Sequence, residues 1–191
     1  MIRGEILRRA IHLSGIIIPL GYLFGLWEKT TIAFVLTVLF FLFLTTDLIR
    51  LMSPTFRNWF FSHFPGLVKP KENKRLLGST YFSFGALLAT ILFEKKVAIA
   101  SLLFLVVGDQ VASLVGKRFG KHRINGKTWE GTITCNLACL GLSLTILPVI
   151  ASLTGSVTAA LSELFISRYV DDNLAIPILS GLVMSLVLLY Q

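Results

Sequence analysis

Residues 97–128 read VAIASLLFLVVGDQVASLVGKRFGKHRINGKT, an apolar run that carries one aspartate and ends in a basic, glycine-spaced loop. The run from Val97 to Val115 has the length of a membrane-spanning helix, for which roughly 20 residues are needed. Asp109 lies within it, about two helical turns from the charged end. An ionised carboxylate inside a spanning helix costs roughly 2.5 to 3.5 kcal/mol on insertion scales, so the position calls for a role or a partner. Lys117, Arg118, Lys121, Arg123 and Lys127 follow, spaced by Gly116, Gly120 and Gly126. A carboxylate for Mg²⁺ or a proton, then cations on flexible backbone, suits a phosphate chain held at a membrane surface.

Working outward, the apolar surplus of the 191 residues falls in blocks of spanning length, with 54% hydrophobic residues and mean hydropathy +0.78. The reading is an all-α integral membrane protein of about seven transmembrane helices, near 10–27, 31–49, 76–93, 97–115, 132–151, 156–168 and 174–190. Residues 1–191 read as a single transmembrane catalytic domain, without internal repeat or low-complexity segment. The first apolar run lacks a small-residue cleavage site and reads as a retained helix. The connection from Arg50 to Arg75 sets Trp59, Phe60, Phe61 and Phe64 among basic residues, the mark of a helix lying along the headgroups. With the N-terminus cytoplasmic and the C-terminus outside, fifteen of the eighteen Lys and Arg fall inside and only Lys29, Lys95 and Lys96 outside. The expected location is the cell membrane, as a multi-pass protein. The net charge of +8 reads as orientation and attraction to membrane lipids, and no aromatic-basic motif points to nucleic acid. Cys135 and Cys139, without nearby His or further Cys, read as packing residues.

Other polar groups gather at the same ends of the spans. Gly108, Ala112, Ser113 and Gly116 around Asp109 form a small-residue face that serves helix packing or leaves room for a ligand. Gly120 to Thr128 imitates a phosphate-binding loop with one residue too many and no strand before it, so a Walker-type fold is rejected while Lys127 is kept as a phosphate contact. Lys121 and Arg123 serve phosphate or lipid headgroups. Glu5, Arg8, Arg9 and His12 share one helix face at the start of the first span. Asp47 sits one turn before Arg50, as an ion pair or a metal ligand. Lys74 to Phe82 opens the third span with Gly78, Ser79 and Thr80, hydroxyls suited to helix backbone or to phosphate. Glu163, inside the sixth segment, and Asp171, Asp172 and Asn173 before the seventh complete a polar ring.

In this order the motifs resemble those of the polyprenol kinase family, which includes dolichol kinase, phytol kinase and the CTP-dependent diacylglycerol kinase, and more distantly the phosphatidate cytidylyltransferases. Glu5-x-x-Arg8-Arg9-x-x-His12 resembles the family's opening motif, with Arg9 where many relatives carry Lys. Gly108-Asp109-x-x-Ala112-x-x-x-Gly116-x-x-x-Gly120 and Lys127-Thr128-x-Glu130-Gly131 resemble its central signature. Glu163 with Asp172-Asn173-x-x-Ile176-Pro177 resembles its C-terminal motif. The resemblance implies a CTP-dependent kinase acting on a lipid alcohol, either an isoprenoid alcohol or diacylglycerol, at the cytoplasmic face. Asp109, Lys127, Arg8 and Arg9 are then expected to be catalytic, with Asp109 on Mg²⁺ or on the substrate hydroxyl. Gly116, Lys117, Gly120, Lys121, Lys127 and Thr128 are expected on the nucleotide. Asp109, Glu130, Asp47 and Asp172 are expected metal ligands, and His12, Glu163 and Asn173 lipid-substrate contacts. Competing readings are a CTP:phosphatidate cytidylyltransferase, with attack at the α-phosphate of CTP and phosphatidate as acceptor, and a non-catalytic transporter or lipid-binding protein. Polar groups clustered at one face argue against transport.

Overall fold

In the computed structural model, which describes residues 2–64, 68 and 72–191 (backbone only for residues 2, 3 and 5), Lys95 opens a helical run that continues to Phe119. Glu5 of the N-terminal motif, as a side chain, and Lys69 and Lys71 lie outside the described residues. The run is 25 residues long, and its most apolar 18-residue stretch is 72% buried, because the first half is apolar on every side. It divides into α6 (Lys95–Leu103), a π-helical turn (Phe104–Gly108) and α7 (Asp109–Phe119). A π turn inserts an extra residue and changes the face that follows; here it ends immediately before Asp109.

The other elements surround this run. The first segment is α1 (Ile2–Ser14) and α2 (Ile17–Leu23), broken at Gly15 and Ile16. A Cβ on Gly15 would stand 2.6 Å from the Phe82 ring, so the break lies where the chain passes closest to the third span. Next come α3 (Lys29–Met52) and α4 (Pro54–His63), then α5 (Gly78–Leu92). Ser53 caps α4 by accepting from the Phe56 amide (3.3 Å), with Pro54 in the first turn, and α4 is the expected surface helix. After the central run follow α8 (Trp129–Ser143), α9 (Val149–Phe165) and α10 (Asp172–Leu189). α10 packs on α9, α5 and α6, α8 on α7 and α9, α3 on α5, and α2 on α6.

Each of the seven expected segments contains helix, but among the described residues five helical runs are long and apolar enough to cross a membrane: Ile6–Leu23, Lys29–Met52, Lys95–Phe119, Val149–Arg168 and Asp172–Leu189. α5 and α8 have 15 residues each, a rise of roughly 22 Å against a hydrocarbon core of about 30 Å. The expected break at 151–156 is corrected to 144–148. Pro148, which cannot continue a helix but can begin one, caps α9. Thr154 and Thr158 donate to the carbonyls of Ile150 and Thr154 one turn back, so their hydroxyls leave α9 unbroken.

Asp47 and Arg50, both fully buried, tie α3 to the start of α5. Arg50 donates from Nε and Nη2 to Asp47 Oδ1 (3.1 and 2.8 Å), from Nη1 to the Glu72 carbonyl (3.1 Å), and from Nη2 to the Arg75 carbonyl. Asp47 Oδ2 accepts from the Leu77 amide (2.7 Å) and the Thr80 hydroxyl (2.6 Å). The Phe61 ring of α4 lies 5.9 Å from the Arg50 guanidinium. Breaking a buried pair by removing one partner costs about 3–5 kcal/mol. Arg50→Leu is therefore expected to lower the thermal midpoint in detergent well beyond the exposed control Lys96→Leu. Equal midpoints for the two variants would show that the clamp adds no stability.

Candidate active site

The loop after α7 is a hairpin. Arg123–Ile124 (β1) pairs antiparallel with Lys127–Thr128 (β2), Arg123 opposite Thr128 and Ile124 opposite Lys127. The turn residues Asn125 (φ 51°) and Gly126 (φ 80°) are both left-handed, the geometry of a two-residue hairpin turn that Asn-Gly adopts readily. Thr128 then caps α8 by accepting from the Gly131 amide (3.2 Å). Its side chain fills the crossing of α7 and α8: a Cβ on Gly116 would stand 2.6 Å from its hydroxyl, and one on Gly120 2.5 Å from its methyl. Gly116 and Gly120 are thus the close approach of two helices. The Asn-Gly pair was the signal for the hairpin, obscured by the imitation of a phosphate loop.

The hairpin delivers Lys127 into a carboxylate cluster. Its Nζ donates to Glu163 Oε1 (2.7 Å) on α9 and to Asp172 Oδ2 (3.0 Å) at the start of α10. Glu163 Oε2 accepts from the Thr132 hydroxyl (3.3 Å), while Asp172 Oδ1 is buried without a hydrogen-bond partner among the described residues. Burial works against the Lys127 charge, but the carboxylates of Asp172, Asp109 and Glu163 outweigh it and hold the ammonium above the ordinary lysine range. α10 approaches α5 closely enough that a Cβ on Gly85 would collide with the Asn173 carbonyl. Asn173 donates to the Gly78 carbonyl (3.3 Å) and to Asp171 (2.8 Å). On the opposite wall Arg9 of α1 donates to the Ser113 hydroxyl (3.4 Å) and His12 Nε2 to the Leu105 carbonyl (3.1 Å) in the π turn.

These groups line one continuous cavity of about 1200 Å³. Its polar end holds Arg8, Arg9, Asp109, Lys127, Glu163 and Asp172; Gly116, Lys117, Thr128, His12 and Asn173 also reach it. Its other arm is apolar, with Ile11 and Ile18 on one side and Leu36, Leu39, Phe43 and Phe82 on the other. Ile11 (53% exposed) and Leu42 (57%) both line the cavity and both face outward, so the slot between α1 and α3 opens on the side of the bundle. From Thr46 to Leu36 the slot descends ten residues of helix, roughly 15 Å, or about half the hydrocarbon thickness.

Four expected site residues fall elsewhere. Asp47 is spent on the Arg50 clamp, and Gly120 and Lys121 do not line the cavity. Glu130 pairs with His122 across the hairpin base, accepting from its amide (3.3 Å) and its Nδ1 (2.9 Å). Glu72 and Gln110 line the cavity unforeseen, and Ser79, one of the hydroxyls read as suited to helix backbone or to phosphate, lines it too. Glu72 stands in sequence among Lys69, Lys71, Lys74 and Arg75, and it is buried and accepts from the Gly78 amide (3.3 Å). Cys135 and Cys139 are buried and pack against Gly108, as expected of packing residues.

The profile of the cytidylyltransferase family matches residues 3–189. The chain is similar to an uncharacterized protein of Rickettsia prowazekii, 31% identical over 182 residues that cover 90% of this chain and 88% of the relative. It is similar to CTP-dependent diacylglycerol kinase 1 of Saccharomyces cerevisiae, 28% identical over 220 aligned residues, covering 97% of this chain and 74% of the relative. It is also similar to the phytol kinase of Synechocystis, 33% identical over 99 residues, covering 45% of this chain and 42% of that protein. No solved structure matches the chain.

The pair at the hairpin base has a pH signature. Hydrogen bonds from its own backbone amide and from the His122 side chain hold the Glu130 carboxyl down at about 2, below its ordinary value of 4.5. A depressed carboxyl stabilises the fold fully above the ordinary value and ceases to do so as pH falls through the depressed one. The difference in thermal midpoint between wild type and Glu130→Gln should be constant above about pH 5 and shrink toward zero as pH falls to about 2. A difference that persists at the acid end would mean that the carboxylate charge is not what holds the hairpin.

Proposed function

The chain belongs to the cytidylyltransferase family, and from that premise we propose that it is an integral membrane kinase. It transfers the γ-phosphoryl group of CTP to the hydroxyl of a lipid alcohol, an isoprenoid alcohol or diacylglycerol, at the cytoplasmic face of the cell membrane. The observation that carries the proposal is the cavity, with cations and carboxylates at one end and an apolar slot about one leaflet deep at the other. A lipid standing upright in its own leaflet can enter sideways between α1 and α3 and bring its hydroxyl to the level of Asp109. In the seven-span topology read from the sequence, with the N-terminus inside and the C-terminus outside, fifteen of the eighteen Lys and Arg would face the cytoplasm. Residues 1–191 act in this reading as one catalytic unit.

The chemistry asks mainly for positioning and charge neutralisation. Lys127 from the hairpin and Arg8 and Arg9 from α1 flank the polar end and hold the triphosphate between them. The alcohol oxygen bonds to the γ-phosphorus and gives up its proton to a carboxylate of the site or to water, the bond from that phosphorus to the bridging oxygen breaks, and CDP leaves. Asp109 orients the hydroxyl or holds Mg²⁺, and Asp172, with its buried oxygen lacking a partner among the described residues, is the second carboxylate fit for the metal. Mg²⁺ is commonly held by one or two carboxylates together with substrate phosphates, and these two residues fit that pattern. When bound it neutralises phosphate charge. Asp47 and Glu130 are committed elsewhere and are left out of the metal site.

The family name favours one second reading, transfer of the cytidylyl group to phosphatidate with attack at the α-phosphate. Purified protein in vesicles with Mg²⁺ and CTP, labelled at the γ or the α position, separates the two. Label reaching the lipid from the γ position alone, with a panel of lipid alcohols, is the expected result. Label from the α position would establish the cytidylyltransferase, and silence from both in folded protein would sink catalysis with CTP. Asp109→Asn is expected to lose about a hundredfold or more in turnover while keeping its thermal midpoint. Full activity in that variant would remove Asp109 from the mechanism.

A further inference from the structure

The two carboxylates on Lys127 are built differently. Glu163 lies inside α9 with its side chain 3% exposed, and both its oxygens are taken, one by Lys127 and one by Thr132. Asp172 is the first residue of α10, 21% exposed at the cavity wall, with the longer bond to Lys127 and a second oxygen that has no hydrogen-bond partner among the described residues. Lys127 is itself 26% exposed and lines the cavity, so its head is within reach of a ligand there.

Resting on the reading that the cavity takes a nucleoside triphosphate, we propose a division of labour. Glu163 is the permanent anchor that aims Lys127 into the cavity, and Asp172 is the arm that releases Lys127 when phosphate arrives. The energetics decide which bond breaks. Separating Lys127 from Glu163 would leave an ionised carboxylate uncompensated in the bundle interior, the costly outcome for a buried pair. Separating it from Asp172 leaves a carboxylate at a polar cavity wall, where water or a cation can take the vacated place. Glu163 is thus a positioning residue acting through Lys127, in place of the substrate contact expected from sequence.

The proposal predicts opposite signs for two neutral variants of the same lysine's partners. Simple loss of negative charge near the site would strengthen binding of an anion in both variants. The assay is equilibrium dialysis of CTP against purified protein in EDTA, with thermal midpoints measured in parallel. Glu163→Gln is expected to weaken CTP binding about tenfold, the scale of one charge-assisted hydrogen bond. Asp172→Asn is expected to tighten it, because Lys127 no longer has to be released. Thr132→Val, which frees the second oxygen of Glu163, should shift binding in the direction of Glu163→Gln by less, and it carries the test if Glu163→Gln does not fold. Wild-type KM for CTP should rise in Glu163→Gln with the KM for the lipid alcohol unchanged. If the Glu163 and Asp172 variants move CTP affinity in the same direction, the division of labour is overturned while the nucleotide reading stands. If wild-type protein binds no CTP at all, the nucleotide reading fails and the inference with it.

Discussion

A charge placed among apolar helices must find its opposite, and the fold is organised by where those matches are made. Lys127 joins three separate stretches of chain, the hairpin after α7, the end of α9 and the start of α10, because Glu163 and Asp172 both bind its ammonium. Without Lys127, two carboxylates would face each other in a region of low dielectric; without them, its own charge would be stranded. The Asp47–Arg50 pair does the same on the other flank, gathering the backbone of residues 72–77 against α3. Between these two matched clusters the helices stand apart, and the space left is the cavity.

Close backbone approaches set the dimensions of that space. Gly85 admits the Asn173 carbonyl, Gly108 admits the sulfurs of Cys135 and Cys139, and Gly116 and Gly120 admit Thr128. In lipid there is little hydrophobic drive for helices to associate, so contact of this kind supplies the packing. It also brings polar groups on α5, α7, α8, α9 and α10 to one level. The slot between α1 and α3 lacks such contacts and opens to the side. In the proposed reaction, a water-soluble donor and a membrane-bound acceptor would reach the same carboxylates from different phases.

Much of this was legible residue by residue. Spanning length, the isolated aspartate, the basic loop and the polar ring near 163–173 all follow from the cost of polar groups in hydrocarbon, which a sequence states directly. Asp109, Lys127, Arg8, Arg9, Glu163 and Asp172 all line the cavity. What misled were signals with two local meanings. The apolar run at 132–151 suited one span but breaks at 144–148, and Gly120 to Thr128 suited a phosphate loop but forms an Asn-Gly hairpin.

The sequence by itself determined that the chain is helical, is built of spans apolar enough for a membrane and gathers most of its ionisable groups at one end of them. Those properties depend on composition and spacing along the chain. Only the tertiary structure decided which acid meets which base. Asp47 and Asp172 read alike in sequence, each a carboxylate near a helix end, but one is closed off by Arg50, Leu77 and Thr80 and the other stands on the cavity wall. Arg50 lies one turn from Asp47, but Leu77, which closes off its other oxygen, and Lys127, which binds Asp172, come from 30 and 45 residues away; packing brings them close, and the reach of a hydrogen bond is too short for spacing along the chain to determine such pairs.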